Sequence, residues 1–391
     1  MLRSVEIEVS VKFSPPFANT FSVICKLMTN ITEQFEYNNF TYKIDYSAQE
    51  NLPEIVHKYN LPVSIFKFYS ISKYNIEALS QNYLYASHPI ELNDILDSSP
   101  ILLYSSRPIS FEIYEKFYKD IFNSRKELED FYIEDVESNQ CKKIINHMYN
   151  MSFNLLGIIS LTERDNNTLM WPHYTQEKGF QIKFNVKNLL QSIKDKLNDD
   201  DGELFGFHPI NYTNELKPID VSSFRSFHIP TAYASNIKLN DWQYEKEWRI
   251  IASKKNMGIP YSKSGLNTIP DHKGIDGQRQ IKYNLDDIEE ISVGHNFITA
   301  RDFEIEWIID DKEFIITVKR NNDEQYNAIC EFLDIISQKY SGKFYFSGAK
   351  YELNATNEPY LIRTKEKMNI EKIEKAKYKL IRTFEIIRFL N

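Results

Sequence analysis

Residues 242–250 read WQYEKEWRI and set Glu245, Glu247 and Arg249 in alternate positions, the two glutamates between Trp242 and Trp248 and the arginine directly after. In an extended strand, side chains at i, i+2 and i+4 share one face. That geometry aligns Gln243, Glu245, Glu247 and Arg249, and turns Tyr244, Lys246 and Trp248 to the other side. Neighbouring carboxylates repel, raise the proton affinity of at least one of them, and are relieved by an adjacent guanidinium. A surface strip of ion pairs has the same spelling and contributes little. The flanking aromatics argue instead for burial on at least one side. A carboxylate fixed on such a strand can stabilise positive charge that develops in a transition state.

Other residues offer chemistry with less specific spacing. His173 and Tyr174 follow Trp171-Pro172. A residue before proline is held extended, so His173 is expected to enter a loop or a strand end. There a neutral histidine beside a tyrosine suits acid–base catalysis or stacking on a nucleotide. A histidine bonded to backbone under a Trp lid is the plainer alternative. Asn93 and Asp94 read first as a turn or helix cap. Asp94 or Asp97 joining Glu247 at a metal or phosphate site is the alternative. His88, His208, His228, His272 and His295 show no paired ligand spacing, so no metal is expected. The acidic run NDDDGE at 198–203 lacks calcium-loop spacing.

These residues need elements to hold them, and the composition bounds those elements. The chain has 391 residues, 42% hydrophobic and 26% charged, as in ordinary globular proteins. Only 11 glycines occur, and no G-x-G-x-x-G or P-loop string is present, which removes the main support for Rossmann and P-loop readings. The net charge of −8 gives no global case for nucleic acid. Cys25, Cys141 and Cys330 lie far apart and read as reduced core residues without a disulfide. The start MLRSVEIEVSVKF has no continuous apolar stretch, and nothing approaches the ~18 apolar residues of a membrane span. A cytoplasmic protein without membrane contact is expected.

Three regions follow. Residues 1–62 hold alternating runs, SVEIEVSVKF and FTYKIDY, and the helical-looking SAQENLPEIVHKY, as a small α+β extension. Residues 63–300 interleave strands (VSIFKFYSI, LLGIISLT, GFQIKFN, HPINY, EWRIIAS, EISVG) with a helix-rich stretch at 111–150 and the helix VKNLLQSIKDKL. Without a regular β-α-β rhythm this is α+β with mostly antiparallel strands. Residues 254–280 hold four glycines and two prolines and read as a long loop. Residues 301–391 give a hairpin turning at Asp310-Asp311, a helix, the strand KFYFSG, and an expected basic amphipathic helix at 369–390. From Leu361 on, nine Lys or Arg face four Glu, so this helix could touch a partner protein or nucleic acid.

In order, FKFYSI, YLYASHPIELNDILD, ISLTERDNNTLMWPHYTQEKGFQIKF, INYTNE and DWQYEKEWRII resemble the bacterial domain-of-unknown-function family 2971 across about 64–300. Trp171, His173, Tyr174, Lys178, Gly179, Trp242, Tyr244, Glu245, Glu247 and Arg249 carry the resemblance. LNDILD departs from it, with Leu92, Ile95 and Leu96 where the family favours Phe, Pro and Phe, while Asn93, Asp94 and Asp97 are kept. The E-x-E is also similar to that of mono-ADP-ribosyltransferases. That resemblance implies NAD as substrate, Glu247 stabilising an oxocarbenium-like transition state and Glu245 directing a protein or nucleic-acid acceptor. Lys67 would be the early-strand basic residue and Tyr174 the middle aromatic, with Trp171, Asn93, Asp94 and Arg249 around the nucleotide. Work as a toxin or in anti-phage defence would suit such an activity. A nuclease using His173, Tyr174, Asp94 and Glu247 is the alternative, and a non-enzymatic sensor or partner-binding module the third. The last expects Glu245 and Glu247 capped by arginines with no cavity before them.

Overall fold

The segments SIFKFY, LGIISLT, FQIKFN and EWRIIAS are apolar on both parities, the pattern of strands covered on both faces. The computed structural model describes residues 32–47, 53–119, 122–137, 141–165, 167–260 and 277–389. The expected strand in SVEIEVSVKF and residues 261–276 of the expected long loop lie outside them.

The fold is α+β, dominated by an 11-stranded sheet. In chain order its strands are β1 (Ser64–Tyr69), β2 (Leu156–Thr162), β3 (Phe180–Asn185), β4 (Glu203–Pro209), β5 (Glu247–Ser253) and β6 (Ile288–Val293). β7 (Phe303–Ile309), β8 (Glu313–Val318), β9 (Phe344–Leu353), β10 (Pro359–Glu374) and β11 (Lys377–Arg388) complete it. The order across the sheet is β7-β8-β11-β10-β9-β6-β3-β1-β2-β5-β4. Every pairing in it is antiparallel except β6 with β9.

The sheet separates two apolar cores. Ile159 and Ile250 point into one, which the helices Val186–Asp199 and Asp323–Ile335 cover. Their neighbours Ile158 and Ile251 point into the other, packed by the helix-rich stretch Phe111–Phe153, the helix His228–Ala234 and a small three-stranded sheet. Among the described residues no helix is long and apolar enough to cross a membrane.

One expected helix is a pair of strands, and the described part of another holds a strand. Residues 369–390 lie mostly in β10 and β11, which turn at Ala376 with φ of 62°. Ile370 pairs with Leu380, and Leu380 in turn with Phe314, so alternate apolar residues are buried while Ile373 and Phe384 are exposed. The lysines at 365, 372 and 379 serve strand ion pairs rather than a basic helix face. In SAQENLPEIVHKY, Glu54–Val56 is a strand paired with Thr41–Lys43, because Pro53 cannot donate within a helix and Lys43 reaches Glu54 at 3.0 Å.

Gly179 shows how closely the segments approach. A Cβ there would sit 2.1 Å from the Tyr69 carbonyl oxygen, where backbone rather than a flexible side chain must move. Gly179→Ala is expected to lower stability by about 1–3 kcal/mol, read as a lower urea midpoint. A loss within error of zero would mean that β1 and the Gly179 turn are not packed this way.

Candidate functional site

Arg249 and Glu247 lie two apart on β5 and so share its face, the one that also carries Ile251. Glu245 reaches them by another route. Residues Asn240–Glu245 form a 3-10 helix, and Lys246 takes a left-handed φ of 45° before β5 begins at Glu247. The expected strand face running from Gln243 to Arg249 is therefore corrected to its last half. A tight turn leaves Glu245 and Glu247 converging on one cation, Lys238 of the short strand Ile237–Leu239.

The cluster is an ion network closed on itself. Lys238 Nζ donates to Glu245 Oε2 at 2.7 Å and to Glu247 Oε2 at 3.1 Å, and lies 3.4 Å from Asp97 Oδ2. Arg249 donates from Nε to Glu247 Oε1 at 2.7 Å and from one terminal nitrogen to Asp97 Oδ2 at 2.6 Å. Its other terminal nitrogen donates to Ser98 Oγ and to the Ser235 carbonyl, both at 2.8 Å. The Tyr174 hydroxyl donates to Glu245 Oε1 at 2.5 Å, and the Tyr212 hydroxyl accepts the Glu247 N–H at 3.0 Å. All five charged side chains are buried.

The electrostatics follow from that closure. Burial pushes the Glu247 carboxyl up, but Arg249 and Lys238 outweigh it and hold the group well below the usual carboxylate range. Burial opposes the charge on Arg249 and Lys238 as well. The facing carboxylates, Asp97 and Glu247 foremost, overcome it and raise both. Tyr174 is raised by burial and then by Glu245, so its hydroxyl stays protonated as a donor.

In front of Glu245 lies a cavity of about 260 Å³, walled by Lys67, Asn93, Asp97, Tyr174, Lys238, Glu245 and Glu247. Lys67, from β1, donates to the Ser160 carbonyl at 2.8 Å. It pairs with no carboxylate among the described residues. Burial pushes its amine down to about 8, with Glu247 and Glu245 acting weakly the other way. The cavity adjoins a groove that shares Lys67 and Tyr174 with it and carries Tyr69, Tyr74, Tyr83 and Tyr85.

Lys67 has a stability consequence whose sign is fixed. A lysine with a lowered folded value binds its proton more weakly folded than unfolded, so its burial is unfavourable at neutral pH. That cost is relieved as pH rises from about 8 toward the ordinary lysine value. Lys67→Met is therefore expected to stabilise the chain at pH 7, with the gain shrinking by pH 10. Urea unfolding at the two pH values checks this, and a gain that grows with pH would contradict it.

Of the residues singled out in the sequence, Lys67, Asn93, Asp97, Tyr174, Glu245 and Glu247 line the cavity, and Arg249 stands behind it. His173 does not join them. The helix Met170–Thr175 carries it on an exposed face, its ring edge-on to Tyr244 at 6.2 Å. The expected loop or strand end is corrected here, because a proline in the first turn of a helix gives up an N–H that has no partner anyway. Trp171 is fully buried between Phe68 and Phe389, away from the cavity. Asp94 accepts the Leu96 N–H at 3.0 Å, a turn cap. Lys238 and Ser98 were not visible as site residues. No spacing in the chain joins them to Arg249, although three buried carboxylates demand more than one cation. Among the described residues no group of three or more His, Cys, Asp or Glu could hold a metal ion.

Residues 170–250 match a family described as a protein of unknown function (DUF2971), a span that includes Tyr174, Lys238, Glu245, Glu247 and Arg249. No curated protein and no solved structure matches the chain. The likeness to mono-ADP-ribosyltransferases has no support among these comparisons.

Proposed function

We propose that the cavity binds a nucleotide, with NAD as the substrate, and that the protein cleaves the nicotinamide–ribose bond or transfers the ADP-ribosyl group. The observation that carries this reading is the charge of the cavity wall. The wall carries Glu91, Asp97, Glu245 and Glu247 against Lys67 and Lys238, with Arg249 behind it, so four carboxylates against three cations leave a formal charge of −1. A ribosyl cation forming in front of that wall is stabilised without reorganisation of the site. As the C–N bond breaks, its electron pair neutralises the pyridinium nitrogen, and water or an acceptor hydroxyl then adds to the ribosyl carbon and loses its proton.

Lys67 stands at the junction of cavity and groove, paired with no carboxylate among the described residues, where it would hold the pyrophosphate. The tyrosines of the groove offer faces for the adenine. Glu247 is clamped by Arg249, whereas Glu245 has only its share of Lys238 and the Tyr174 hydroxyl. We therefore assign the transition-state contact to Glu245 and the holding of the wall to Glu247. No observation favours the nuclease, since His173 and Asp94 stand outside the cavity and β10 and β11 replace the basic helix. The open cavity before Glu245 favours a ligand site over a purely structural ion cluster.

The test is nicotinamide release from NAD, in buffer and in cell extract, by the unmodified chain and by Glu245→Gln. Release that requires Glu245 supports the reading. No release in either medium, or release that the variant equals, overturns it.

A further inference from the structure

A second cavity, of about 240 Å³, lies on the same face of β5, two residues beyond Arg249. Its walls include Ile113, Phe153, Leu156, Phe227, Ala232 and Ile251. Four hydroxyls also line it, and each is already engaged within the protein. Ser152 donates to the Met148 carbonyl, Thr231 to that of Phe227 and Ser235 to that of Ala232, while Ser226 accepts from Tyr46. His228 Nδ1 lies 3.1 Å from Ser226 Oγ. His208 is different. It sits on β4 directly across from Arg249, its ring lies over Gly206, and its Nδ1 is buried with no hydrogen-bond partner among the described residues.

We propose that this cavity is a binding site for a small, planar, largely apolar molecule with a single hydrogen-bonding group, which meets His208 Nδ1. Size and polarity both select that class. A cavity of ~150 Å³ suffices for benzene and stays dry, so this one holds about ten non-hydrogen atoms, a fused bicyclic ring. Lys116 also lines the cavity, but its half-exposed ammonium pairs with Glu112 at 3.5 Å. The rest of the wall is largely apolar and disfavours a charged ligand, and an orphaned buried nitrogen favours one that completes its hydrogen bond. His208 offers that nitrogen on a neutral ring, because burial and then His57 push its value down to about 4. The site is independent of the proposed NAD chemistry, although Ser235 belongs both to its wall and to the bonds that hold Arg249.

Three probes of one shape test the proposal on the full chain. Indole brings a donor, benzoxazole an acceptor, and indene neither. By thermal shift and calorimetry, one of the two heterocycles is expected to bind saturably, about five- to tenfold tighter than indene. Ala232→Phe, which fills the cavity from the helix His228–Ala234, should abolish binding of all three. The probe comparison on the unmodified chain stands even if that variant folds poorly. No saturable binding by any probe, or binding that a folded Ala232→Phe retains, overturns the site. Indene binding as tightly as both heterocycles overturns the role of His208. All these readouts are binding, so an absence of NAD turnover leaves them untouched.

Discussion

Arg249→Met is expected to lower the stability of the chain by about 3–5 kcal/mol, a large share of what a folded domain typically has. The size of the effect comes from what stays behind rather than from what is removed. Arg249 spends all three of its nitrogens on Glu247, Asp97, Ser98 and the Ser235 carbonyl, with no water-facing donor. Without it, Asp97, Glu245 and Glu247 share Lys238 alone, and at least one carboxylate is buried without compensation. Arg249→Lys restores a charge but not the planar fork, so it should recover only part of the loss.

The pH dependence gives this prediction a second arm. In the unmodified chain the depressed Glu247 carboxyl contributes stability that is full above the ordinary carboxylate value and falls away progressively as pH drops below it. In the methionine variant burial and mutual repulsion push the carboxyls up instead, so the folded variant takes up protons as pH falls. The gap between the two chains should therefore narrow from pH 7 toward pH 4.5. Urea unfolding at several pH values measures it. A gap below about 1 kcal/mol at pH 7 would mean that the network is hydrated and not the closed cluster described above.

What could be read from the sequence follows the range of the interactions involved. The strand EWRIIAS, the hairpin turning at Asp310-Asp311 and the helix Val186–Asp199 depend on local pattern, and the structure has all three. The stretch at 369–390 has apolar residues that satisfy helical and strand spacing about equally. Only the pairing of Leu380 with both Phe314 and Ile370 decides for the strand, and that contact is not local. The same limit governs the site. Glu245, Glu247 and Arg249 announce themselves by spacing, and Lys67 and Tyr174 by resemblance. Lys238 lies only 9 residues before Glu247 but has no spacing that marks it, and the tertiary fold brings Ser98 and Asp97 to Arg249 across 151 and 152 residues of chain. Even the E-x-E was legible for an incomplete reason, since a left-handed Lys246 rather than a strand pleat brings its two carboxylates together.

Glu245→Gln is expected to reduce NAD cleavage by about 10²–10³-fold while leaving the substrate's KM within about threefold. The substitution keeps the shape of the side chain and an oxygen for the Tyr174 hydroxyl, but removes the charge that the ribosyl cation would meet. A group that acts only as positive charge develops affects kcat far more than binding. Tyr174→Phe makes the complementary measurement. Losing the hydroxyl frees Glu245 Oε1 and leaves the charge in place, so kcat should fall by about tenfold or less. If Glu245→Gln instead raised KM with kcat unchanged, Glu245 would be a binding group and the wall's charge would not serve catalysis. If both variants lost activity in proportion to lost stability, measured by urea unfolding of the same samples, the carboxylate would be a structural member of the network.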